Sequence, residues 1–319
     1  MLIEDHIRKN KIKTFFLFSL YFLLFALVAF LLGFYTGDII TWVILLGVVF
    51  VVMLIISNFF GKNVIAKMTS AREVSREDEP YLYHTIDGLS IAADVPTPKA
   101  YIIETDTPNA FAAGASPKNA IVGVTRGRLN WLNREELEAV IAHEMAHIKN
   151  YDIRLATISV VLAGTIVFVA SIMRRSLFFG GMGRRSSGGR GGKGGAAIIK
   201  LLALIVVIIL APLMARVIQF AISRKREYLA DASAAELTGY PEALASALEK
   251  ISGMQADDSK LDNDAVKGLF IISPSTEENN TSGGLGGTSG AVGFRGQKKS
   301  SLFSTHPQVM DRINRLREM

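Results

Sequence analysis

The chain has 319 residues, half of them hydrophobic, and a formal net charge of +6. It contains no cysteine, which excludes disulfides, thiolate metal ligands and a cysteine nucleophile. Its basic residues gather beside long apolar runs, so the excess charge is assigned to membrane topology and anionic headgroups, not to nucleic acid.

Two apolar runs come first, Phe15 to Phe34 and Ile39 to Phe60. Each can cross a hydrocarbon layer of ~30 Å, which takes about 20 helical residues. The first is too long for the apolar part of a signal peptide and is read as a retained anchor. Arg8, Lys9, Lys11 and Lys13 precede it, the link Tyr35 to Asp38 carries no base, and Lys62, Lys67 and Arg72 follow the second run. The positive-inside rule then puts both ends of a hairpin over residues 1–60 in the cytoplasm.

Residues 61–154 read as the first part of a catalytic domain. Asp78 to Ala93 has helical spacing and is stopped by Pro96 and Pro98. Lys99 to Glu104 reads as a strand, and Asn109 to Ala113 with Asn119 to Thr125 as a strand pair around Gly-Ala-Ser-Pro. Asn133 to Lys149 reads as a helix with Asn133 as N-cap and Glu135 and Glu136 in its first turn.

A second apolar pair is predicted within residues 155–222, as runs 155–173 and 196–222 joined by a glycine-rich basic link. The link matches neither a dinucleotide-binding nor a phosphate-loop pattern. Its bases favour the cytoplasm whereas two full spans would export it, so these runs either cross against the charge rule or dip in as a re-entrant hairpin. Residues 223–319 read as the second part of the catalytic domain: helix from Arg224 to Gly253 broken near Gly239-Tyr240-Pro241, a Ser/Thr/Asn/Gly-rich loop over Ser273 to Gly296, and helix again after His306-Pro307.

The chemistry is carried by His143-Glu144-Met145-Ala146-His147. Histidines at i and i+4 share one helix face, and two imidazoles can there meet one zinc ion at ~2.0–2.1 Å. Glu144, about 100° around the helix, reaches a water activated at that ion without being a ligand. It can take the water's proton and pass it to the leaving nitrogen of a peptide.

A catalytic zinc takes a third protein ligand and keeps an open position. Asn150 and Ile153 stand where one zincin class has its glycine and third histidine, which excludes that class. A distant carboxylate, His6, His84 and His306 remain. The best carboxylate is Glu227 in Glu-Tyr-Leu-Ala-Asp, with Asp231 one turn on to fix the tautomer of a ligand histidine; Asp152 is a second candidate for that supporting role. A competing reading is a membrane scaffold with a structural metal site, closed by a fourth ligand such as His306.

These features together, His-Glu-Met-Ala-His, Glu-Tyr-Leu-Ala-Asp after a hydrophobic hairpin, Thr305-His306-Pro307, the N-terminal pair of runs and Asn109 to Gly114, resemble the HtpX membrane metalloproteases, which group with the CaaX prenyl endopeptidases. The resemblance implies a mainly α integral membrane protein with four hydrophobic helical segments and a zincin-like catalytic domain containing a small sheet. It implies one zinc per chain on His143, His147 and Glu227, and Glu144 as general base. It also implies His306 stabilising the oxyanion, with Arg312 acting beside it, and Asn109, Ala110 and Phe111 lining the substrate cleft. The implied role is quality control in the bacterial plasma membrane: a multi-pass protein, catalytic part in the cytoplasm, cutting misfolded or damaged membrane proteins. Too few apolar runs are present to enclose a large intramembrane chamber, which disfavours prenyl-peptide processing.

Overall fold

A computed structural model describes residues 3–162, 164, 224–252, 269–271 and 307–319. The first two helices, α1 (Ile3–Thr36) and α2 (Ile39–Ile55), form a tight hairpin turned at Gly37, whose φ of 78° is left-handed. Asp38 caps α2 by accepting from Thr41 N. A π turn (Ile56–Phe60) runs α2 into α3 (Gly61–Met68), so the second apolar helix continues past its predicted end. Asn10–Leu27 and Ile39–Met68 each contain a window long and apolar enough to cross a membrane, the second with a mean hydropathy of 3.2 and none of it buried in the protein.

After β1 (Arg72–Glu73) comes α4 (Pro80–Ala93). Proline at its first turn suits a position with no N–H to satisfy, and Asp94 ends it in the left-handed region at φ 56°. The stop therefore comes before the prolines on which the sequence reading relied. Strands β2 (Lys99–Ile103), β3 (Ala110–Gly114) and β4 (Ala120–Thr125) complete a four-stranded sheet of order β1-β2-β4-β3. The predicted pair β3–β4 is antiparallel, with Ala112 opposite Val122. The β1 strand and the parallel pairing of β2 with β4 have no local sequence signal.

Alternation along the strands buries both faces. Ala100, Ile102, Ala110, Val122 and Val124 pack on the layer containing α4 and α6 (Arg134–Lys149), which follows the short α5 (Arg126–Trp131). Ile103, Phe111 and Ile121 face the other way, toward Ile65 of α3 and Val160 of α7, a helix over residues 152–162. Gly123 lets the Phe111 ring lie flat across β4: a Cβ there would clash with that ring. Gly123→Ala is therefore expected to cost about 1–3 kcal/mol by overpacking, read as a lower melting temperature of the detergent-solubilised protein; an unchanged melt would mean the ring is free to move aside.

The α6 helix is buried on nearly every side, as expected of a central helix. Asn133 Oδ1 accepts from Glu136 N at 2.8 Å and Glu136 Oε2 from Asn133 N at 2.9 Å, a reciprocal cap. Glu136 also accepts from Ser246 (2.6 Å) and Lys250 (2.7 Å), which ties α6 to α9 (Pro241–Ser252). Helix α8 (Arg224–Thr238) packs along α6, and α10 (Val309–Arg317) packs on α9. The predicted break between α8 and α9 falls at Gly239, φ 67°.

The opening residues of the third predicted apolar run do not face outward. Leu155, Ile158 and Leu162 are buried against Leu17 and Tyr21 of α1. The rest of that run beyond residue 164, the fourth run, the glycine-rich link and the loop over Ser273 to Gly296 lie outside the described residues.

Candidate metal centre

Helices α6 and α8 lie side by side and bring three side chains together. His143 Nε2 and His147 Nε2 are 3.2 Å apart. Glu227 Oε2 is 3.8 Å from the first, and Glu227 Oε1 is 3.7 Å from the second. Ligands ~2.0–2.2 Å from one tetrahedral ion are separated by about 3.3–3.6 Å, so the spacing fits a single metal ion. Among the described residues these three side chains form the group able to hold one.

The outer nitrogens sharpen that test. His147 Nδ1 meets Asp152 Oδ2 at 3.0 Å and His143 Nδ1 meets Asp231 Oδ1 at 3.0 Å. The second contact is too misaligned to count as a good hydrogen bond. A carboxylate at Nδ1 favours the proton there and turns the Nε2 lone pair inward. Two Nε2 atoms at 3.2 Å must share either a proton or a cation. Asp152 and Asp231, the two carboxylates singled out from sequence, thus each stand at the Nδ1 of one of these histidines.

Charge points the same way. Asp152 accepts from Arg226 Nη1 at 3.2 Å, and Asp231 takes a two-pronged contact from Arg312 at 2.8 and 2.6 Å. With Glu144 and Glu227, four buried carboxylates and two guanidiniums gather around the two imidazoles. Burial by itself would lower the His147 imidazole, but Asp152, Glu227 and Glu144 outweigh it and push it up to about 9. Burial would raise Asp231, yet Arg312 holds it below the usual carboxylate range; Asp152 is likewise held low by His147 and Arg226 against its own burial.

Glu144 is buried beside His143 and acts electrostatically on both His147 and Arg312. The His143 side chain is 1% exposed and that of His147 16%, so His147 is the more open of the two. Arg312 lies 3.5 Å from Glu227 Oε2, forked on Asp231 and donating to Ile271 O at 3.2 Å. His306 lies outside the described residues, and His84 belongs to α4, outside the cluster.

Asn109, Ala110 and Phe111 line the outermost strand, but all three side chains are buried. Phe111 packs edge-on against Phe270, ring centroids 6.0 Å apart. The whole strand is buried, main chain included. Thr125 N donates to Asn109 O, so the next residues with the opposite outlook, Ala110 and Ala112, turn their main-chain groups away from β4. Ala110 O is taken by Ile271 N at 3.3 Å and Gly114 N by Thr157 Oγ1 at 2.8 Å, with Ala112 between these tied points.

Two supporting residues were absent from the sequence reading. Asn10 Nδ2 donates to Asp152 Oδ1 at 2.6 Å, and Arg226, the residue before the ligand, braces the same oxygen. A polar residue entering an apolar helix, and an arginine next to a ligand glutamate, were the available signals.

The model of peptidase family M48 matches residues 76–319. A "Protease HtpX homolog" of Dictyoglomus turgidum is 41% identical over 322 residues, covering 99% of this chain and 94% of that one. Another, from Streptococcus uberis, is 40% identical over 319 residues and covers 100% of both. Among solved structures, the crystal structure of S. mikatae Ste24p overlaps 98% of this chain and 66% of its own, with a TM-score of 0.47 and 19% identity. With a family model over most of its length and relatives at this identity from end to end, the chain belongs to peptidase family M48, as a metallopeptidase of the HtpX type.

Proposed function

We propose that this metallopeptidase is a membrane-bound zinc endopeptidase whose active site faces the cytoplasm and which cuts misfolded or damaged membrane proteins. One observation carries the reading: two imidazole nitrogens and one carboxylate converge within 3.2–3.8 Å, each imidazole backed by its own carboxylate. Three such ligands among the described residues suit a catalytic zinc site, which keeps a fourth position open. When bound, zinc supplies Lewis acidity, polarising a peptide carbonyl and bringing a nearby water to a pKa of about 7.

The chain's own residues do the rest. His143, His147 and Glu227 hold the ion, and Asp231 and Asp152 fix the two rings. Glu144 accepts a proton on its carboxylate and returns it to the leaving amide nitrogen. Arg312 steadies Glu227 and Asp231 from behind. Strand β3 ends the sheet, the position at which an extended peptide can add by main-chain pairing, a mode that tolerates many side chains. His306 is assigned to oxyanion stabilisation on the strength of its motif.

The membrane setting rests on α1 and α2–α3, and the cytoplasmic orientation on the basic flanks of that hairpin. The packing of α7 on α1 supports a site close to the bilayer, one that would favour unfolded loops of membrane proteins over folded soluble ones. Metal analysis of the purified full chain in detergent is expected to find about one zinc per chain. Glu227→Ala should weaken zinc binding beyond the ~10–100-fold typical of supporting residues and abolish cleavage of an unfolded membrane substrate. A metal-free wild type, or a Glu227→Ala variant that keeps both zinc and turnover, would overturn the reading.

A further inference from the structure

The first apolar helix carries a buried stripe of Asn10, Thr14, Leu17 and Tyr21. Its apolar half packs on Leu155, Ile158 and Leu162 of α7. Its first member is an amide, 4% exposed, and both of its protons are committed far along the chain. One goes to the Asn150 carbonyl at 3.1 Å, at the end of α6, and one to Asp152 Oδ1 at 2.6 Å, at the start of α7. Between these acceptors stands Tyr151, at φ 59°, the left-handed residue that turns the chain back so that Asp152 faces His147. An apolar side chain at position 10 would suit the rest of the stripe; an amide there is explained by what it holds.

We propose that Asn10 is a positioning residue for the metal centre: by clamping the turn at Asn150 and Asp152 it fixes His147, so that the anchoring helix sets the affinity of the site for its metal. The proposal rests on the zinc reading above. Asp152 is held at Oδ1 by Asn10 and Arg226 and at Oδ2 by His147, so freeing it from α1 loosens the ring that it orients. An anchor of this kind does more than tether the catalytic part; the packing of α1 against α7 is transmitted to a ligand through two hydrogen bonds.

The test uses the full-length chain in detergent, with zinc affinity measured by chelator competition and kinetics measured at saturating zinc. Asn10→Ala and the same-sized Asn10→Asp are each expected to bind zinc about tenfold more weakly, with kcat lowered and KM unchanged. Thr14→Val, on the same stripe but without a contact to Asp152, should bind zinc as the wild type does. The pair Asn10→Ala and Asp152→Ala should be no weaker than Asp152→Ala alone, because the first residue acts through the second. Wild-type zinc affinity in both Asn10 variants, whatever their melting temperatures, or full additivity with Asp152→Ala, would overturn the proposal. If those results came while Glu227→Ala still lost zinc, the metal site would stand and this inference alone would fall; a wild type without zinc affinity would sink both.

Discussion

Glu144→Gln is expected to lower peptide hydrolysis by about 10²- to 10⁴-fold while leaving zinc content and KM unchanged. The substitution keeps size and shape at a buried position and removes only the capacity to accept a proton. Glu144 is not one of the three residues whose ligand atoms converge, so the ion should remain. It nonetheless acts electrostatically on His147 and Arg312, which puts its charge at the centre of the cluster. Side-by-side measurement of metal stoichiometry, kcat and KM separates the possibilities. Turnover close to wild type would remove Glu144 from proton transfer, and lost metal would show it to be part of the cage.

Arg312→Met should give the largest loss of stability, about 3–5 kcal/mol. The guanidinium is 1% exposed and meets two carboxylates that are themselves almost fully buried, Asp231 and Glu227. Methionine fills much of the space but strands both charges in a dry environment. The sign of the pH dependence follows. In the wild type Asp231 is held below its ordinary range, so its contribution is present at neutral pH and is lost as the pH falls. Without Arg312, burial raises the same group, and the variant is penalised at neutral pH but relieved on acidification. The difference in melting temperature should therefore narrow from pH 7 toward the carboxylate range near ~4. A gap that held constant with pH would mean that Arg312 stabilises by packing alone.

The sequence made the local elements legible because their signals are local. The Asn133 cap, the Gly239 break and the β3–β4 pair lie where caps, glycines and alternating residues put them. The three residues of the candidate metal group were singled out for a different reason. His143 and His147 share a helix face by spacing, and Glu227 was singled out by its partner Asp231 and by the family resemblance.

Elements set by long-range pairing were not readable. The two-residue β1 strand exists only because Arg72 and Glu73 find Ile102 and Tyr101. The clamp from Asn10 joins residues with no pattern linking them in sequence. The fork of Arg312 on Asp231 was equally hidden, because an arginine on a helix says nothing of what stands behind it. Composition likewise could not tell that Leu155, Ile158 and Leu162 face protein and not lipid.

The two imidazoles and the carboxylate lie on opposite sides of a long insertion, and this has a bearing on biosynthesis. Translation delivers His143 and His147 well before Glu227. On the reading proposed above, a chain that has emerged only through α7 carries two of the three metal donors and cannot grip the ion firmly. Cleavage then waits until α8 has docked on α6, which postpones activity until late in synthesis.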